Sequence, residues 1–79
     1  MEIKVLGTGC KSCKKLYENA TVAAQALRLS EEVIYITDIV EISRLGVIKT
    51  PALIVNNVIV SLGRVLSVEQ VTTIISKYL

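Results

Sequence analysis

The sequence predicts an α/β fold in the order β-α-β-α-β-β-α, with one mixed four-stranded sheet and helices packed on it. Three observations predict it. Hydrophobic residues fill 52% of the 79 positions, with only one Pro and four Gly, which suits a folded core and excludes disordered or collagen-like chains. Short apolar runs of strand length alternate with stretches whose apolar residues recur every three or four positions. The last two strand-like runs are separated only by Asn56-Asn57, whereas the first two are separated by a helical stretch. The first pair therefore needs a right-handed parallel crossover and the last an antiparallel hairpin. A single domain spanning residues 1–79 is expected, with a modest core.

The elements follow in order. Ile3-Lys4-Val5-Leu6 reads as a strand bounded by Gly7-Thr8-Gly9. From Cys10 to about Leu29, the residues Cys13, Leu16, Tyr17, Ala20, Ala24 and Leu27 mark one face of a helix. Ser30-Glu31-Glu32 ends it, and Val33–Thr37 reads as the second strand. Asp38 with Glu41 resembles a capping box, opening a short helix that stops at Gly46. Pro51–Val55 and Val58–Leu62 are strands, and Asn56-Asn57 tolerates the positive φ of a two-residue hairpin turn. Ser67 with Gln70 is a second capping box, Leu66 can staple onto Val71, and Val71, Ile74, Ile75 and Tyr78 mark the face of the last helix.

Composition limits the function. Nine Lys/Arg against seven Asp/Glu give a net charge of +2, and the only aromatics are three tyrosines, a poor basis for a nucleic-acid surface. No apolar run approaches the ~20 residues of a membrane span, and Glu2 and Lys4 interrupt any signal-like segment. A cytoplasmic protein without membrane or nucleic-acid partners is expected, and thiols there are mostly reduced.

Cys10 and Cys13 are the only cysteines, spaced C-x-x-C at the first strand-to-helix junction. Four readings compete. As core residues, Cys13 fits beside Leu16 and Tyr17, but Cys10 falls in an exposed first turn. As a structural staple, a four-residue ring gains at most about 2 kcal/mol. As a metal site, two thiolates without histidine leave zinc short of ligands, while copper(I), being soft, suits them.

As a redox dithiol, Cys10 sits where orphan helix N–H groups favour a thiolate, with Lys11, Lys14 and Lys15 adding positive charge. Cys10 then attacks a substrate disulfide and Cys13 resolves the mixed disulfide. A lowered pKa raises the thiolate fraction but weakens the nucleophile, so Lys11 and Lys14 act mainly on leaving-group ability and potential. The lysines are equally readable as a solvated helix face.

Pro51, the only proline, follows Thr50 and opens a predicted strand. A plain strand-start proline accounts for it, and a cis Thr50–Pro51 bond is the sharper alternative.

Taken together, Ile3–Leu6, the Gly7-Thr8-Gly9-Cys10-Lys11-Ser12-Cys13 junction, Gly46–Val55 with its Thr50-Pro51, and the Gly63 segment resemble the minimal thioredoxin-like and glutaredoxin-like redox-active disulfide proteins. The resemblance spans nearly the full length. It implies a thioredoxin-like fold and a protein-disulfide oxidoreductase whose only redox group is the Cys10–Cys13 dithiol/disulfide, with no separate cofactor and no metal. It further implies Cys10 as nucleophile, Cys13 as resolving thiol, Pro51 in cis beside them, and Thr50 offering its backbone to an extended substrate segment. Protein disulfides would be the substrates and a thioredoxin-reductase-like enzyme the electron donor.

The chain departs from full-size thioredoxins in having Gly9 before the first cysteine, Lys11-Ser12 between the two, and no acidic residue in Ile3–Leu6. The glutaredoxin Pro-Tyr between the cysteines is also missing. Two rivals stand beside the oxidoreductase: a copper(I) or heavy-metal carrier using the same two thiolates, and a non-catalytic interaction module on the same scaffold.

Overall fold

A computed structural model describes every residue from Met1 to Leu79. Its elements are β1 (Ile3–Leu6), α1 (Lys11–Ala26), β2 (Ile34–Ile36), α2 (Ile39–Arg44), β3 (Ala52–Val55), β4 (Val58–Leu62) and α3 (Val68–Ser76), in the expected order. They form one four-stranded sheet, β2-β1-β3-β4. β1 runs parallel to β2 and antiparallel to β3, and β3 is antiparallel to β4. The mixed α/β architecture read from the sequence is therefore the one observed.

Strand alternation sorts the core into two layers. Ile3 and Val5 of β1 and Leu53 and Val55 of β3 join Leu16, Ala20 and Ala23 of α1 and Val71 and Ile75 of α3. Leu6, Ala52 and Ile54 face the opposite way, against Ile42 and Val47 around α2. β3 is thus covered on both faces, which is why its sequence is an unbroken apolar run. Leu16, Leu53 and Ile75 are fully buried, each contributing about 1.5–3 kcal/mol over an exposed position.

Caps set the element ends. Ser67 accepts from Gln70 N–H at 3.1 Å while Gln70 Oε1 accepts from Ser67 N–H at 2.9 Å, a complete capping box. Asp38 makes only the forward bond, to Val40 N–H at 2.9 Å. Asn56 and Asn57 both take positive φ, 50° and 67°, closing the hairpin.

Three elements are shorter than expected, among them β3, which opens at Ala52 rather than Pro51. α1 stops at Ala26 rather than near Leu29, because Arg28 adopts φ 56°. The Leu29 N–H then bonds Ala24 O and the Arg28 N–H bonds Gln25 O, a Schellman end built without glycine. β2 covers three residues rather than Val33–Thr37, since β1 offers partners only to Ile34, Tyr35 and Ile36.

Candidate active site

The site begins where β1 leaves the sheet. The Gly7 N–H donates to Ile36 O at 3.0 Å, holding the strand end against β2. A Cβ at Gly7 would collide with Sγ and Cβ of Cys13, so β1 and the first turn of α1 touch only because this position is glycine. Cys10 follows in extended conformation, φ −69° and ψ 168°, as the N-cap of α1. Its Sγ accepts from Cys13 N–H at 3.3 Å and its carbonyl accepts from Lys14 N–H at 3.0 Å. The sulfur thus fills the role usually taken by a Ser or Asp oxygen.

Cys10 is exposed and Cys13 completely buried, both as free thiols, with their sulfurs 2.7 Å apart. The Cys13 thiol, and after it the Cys13 amide, hold the Cys10 thiol below its ordinary value of 9.0. The slight burial of Cys10 works the other way, and the Ser12 amide adds a smaller favourable contribution. Lys11, Lys14 and Lys15 are exposed and none figures among these causes. Hydrogen-bond donors are the leading causes of the downward shift.

Pro51 reaches the same place from the next strand. Leu6 pairs with Ala52 in the β1–β3 ladder, so the residues beyond them, Gly7 and Pro51, leave the sheet side by side. The Thr50–Pro51 peptide is cis, Pro51 is buried, and its carbonyl accepts from Gly63 N–H at 2.8 Å. Thr50 and Thr8 line one groove of about 240 Å³ whose apolar walls include Ile39, Val47 and Ile48. Ile39 and Ile48 are strongly exposed, at 69% and 83%. On the other side of β1, the rings of Tyr17 and Tyr35 stack with centroids 4.9 Å apart and planes at 14°. The Tyr35 hydroxyl is buried and has no hydrogen-bond partner.

Residues 1–76 match the thioredoxin domain family. The chain belongs to the thioredoxin family. It is 36% identical over 77 residues to a thioredoxin of Methanocaldococcus jannaschii, covering 98% of this chain and 88% of that protein. It is 34% identical over 76 residues to a thioredoxin of Methanothermobacter thermautotrophicus, covering 96% and 99% respectively. No solved structure matches the sequence. The resemblance read from the residues is borne out, and with it the general class of thiol–disulfide oxidoreductase. No helix is long and apolar enough to cross a membrane.

For a thioredoxin-family chain, the sequence reading missed two features of the site. Gly7 carried a signal, as a glycine ending an apolar strand three residues before Cys10, but its partner across the turn was invisible. Tyr35 carried almost none, because only the parallel register of β2 on β1 brings it near the cysteines.

Proposed function

We propose that this chain exchanges its Cys10–Cys13 dithiol with protein disulfides. The observation that supports this most is an exposed helix-capping sulfur with a buried second sulfur 2.7 Å behind it. The Cys10 thiolate attacks one sulfur of a client disulfide, forming a Cys10–client bond and releasing the other client sulfur as a thiolate. The Cys13 sulfur then attacks Cys10 Sγ, forming the Cys10–Cys13 disulfide and releasing the second client sulfur. Two electrons pass to the client and the chain is left oxidised, so an enzyme of the thioredoxin-reductase kind must return it to the dithiol. The redox-active cysteine pair is the only redox group this scheme uses.

Client recognition falls to Thr50 and Pro51. An extended client segment pairs with the Thr50 backbone beside the sulfurs, and the groove of Thr8, Ile39 and Ile48 receives an apolar client side chain. Lys11 and Lys14 keep a smaller part, as positive charge facing an incoming anionic segment and the departing thiolate.

Copper(I) carriage would use the same two sulfurs, and no observation favours it over exchange. Reduction of insulin by dithiothreitol tests the proposal. The chain should accelerate it severalfold over buffer and Cys10→Ser should abolish the acceleration. A rate equal to buffer, unchanged by the substitution, overturns it.

A further inference from the structure

Cys13 attacks as a thiolate, yet it is completely buried. Its own N–H is committed to Cys10 Sγ, so the helix amide that would ordinarily steady an anion at this position serves the other sulfur. A charge formed there needs another donor.

The geometry supplies one. Tyr17 lies one helical turn beyond Cys13 on the same face of α1, and its ring stacks on that of Tyr35. Tyr35 pairs with Val5, two residues before the glycine on which the Cys13 sulfur rests, and its neighbour Ile36 accepts the Gly7 N–H. Two independent constraints therefore hold the Tyr35 ring against α1, stacked on the residue one turn beyond Cys13. Its hydroxyl is buried without a partner, a condition that only destabilises the resting fold. A phenylalanine would stack on Tyr17 equally well. The other such hydroxyl, Ser61, lies on β4 at the opposite edge of the sheet. Burial first, then negative charge on Cys13 and on Cys10, raise Tyr35 above the ordinary phenol value, against a small opposing effect of the Gly9 amide, so it stays protonated and a donor.

We propose that the Tyr35 hydroxyl donates a hydrogen bond to the Cys13 sulfur in the resolving step. The proposal rests on the exchange reading above. In that step the Cys10–Cys13 bond forms, the Cys10–client bond breaks, and the electron pair leaves on the client sulfur. The proton lost by Cys13 ends on that client thiolate, and the Tyr35 proton stays on its own oxygen.

The test mixes reduced full-length chain with one equivalent of an aromatic disulfide whose released thiolate is coloured. The first release reports attack by Cys10 and the second reports attack by Cys13. Tyr35→Phe should leave the first phase within about two-fold and slow the second about ten-fold or more, the rate equivalent of one hydrogen bond to a charged acceptor. Its melting temperature should equal or exceed that of the parent. Tyr17→Phe, which keeps the stack and leaves the Tyr35 hydroxyl in place, should alter neither phase. A second phase in Tyr35→Phe as fast as the parent's overturns the proposal. So does a variant that slows both phases together and melts lower, since that marks a packing residue. Absence of the first phase in the parent overturns the exchange reading itself, a separate result.

Discussion

Gly7 is the residue on which the position of the second sulfur depends. The Cys13 thiol can lie under Cys10 because nothing projects from the end of β1. The obstruction in Gly7→Ala is not the far end of a flexible chain, since Cys13 Cβ is fixed to the helix backbone. Either the strand end or the first turn of α1 must move. Overpacking of this kind costs about 1–3 kcal/mol, read as a lower denaturant midpoint at unchanged slope. The displaced sulfur also meets Cys10 less well, so the mixed disulfide should persist longer in Gly7→Ala than in the parent when trapped by acid and weighed by mass spectrometry. Parent-like stability together with a parent-like lifetime would show that the contact between Gly7 and Cys13 is slack.

At the scale of the element, α1 is capped by the same sulfur that would do the chemistry, and the two roles can be separated. Serine caps a helix well, whereas alanine offers the Cys13 amide nothing. Cys10→Ser and Cys10→Ala should be equally inactive in insulin reduction, while Cys10→Ala should be less stable than Cys10→Ser by about 1 kcal/mol in chemical denaturation. Equal stabilities would mean that the 3.3 Å contact from Cys13 N–H is no cap. The elements also show what a sequence displays and what it conceals. Signals that act within a few residues were legible. Ser67 with Gln70 makes both bonds of its box, Leu66 and Val71 share a core cluster, and Asn56-Asn57 turns the hairpin. The α2 end was legible for the same reason, because Gly46 takes φ 78° and lets Val47 N–H bond Ile42 O. The end of α1 uses the same bonding with Arg28 in the left-handed position, and arginine carries no such signal. The length of β2 is set by its partner β1, not by its own residues. Of the candidate site, the two cysteines and Thr50-Pro51 could be picked out along the chain, whereas the placing of Tyr35 depends on the β1–β2 register and the groove needs Thr8 brought against the stretch from Ile39 to Thr50.

Over the whole molecule, two groups with opposite shifts shape stability against pH. Cys10 is held below 9.0 in the folded chain, so folding favours its thiolate. That contribution is fully present above the ordinary thiol value and is lost as pH falls through the lowered one. Tyr35 is held above 10.0, so its contribution is present below the ordinary phenol value and is lost as pH rises through the raised one. The reduced protein should therefore gain stability as pH climbs from below the Cys10 value toward 9.0, and lose it again beyond 10.0. Cys10→Ser removes the first titration while keeping the capped helix, the buried Cys13 and Tyr35. Its profile should lack the rise, and its alkaline fall should be milder because one of the negative charges that raise Tyr35 is gone. Denaturant midpoints across this range, for the reduced parent and Cys10→Ser, measure both limbs. A parent profile that is level or falling up to 9.0 would mean that the fold does not favour the Cys10 thiolate. The attacking sulfur would then have no more thiolate character than an ordinary cysteine, and the capping contacts would have to be read as structural only.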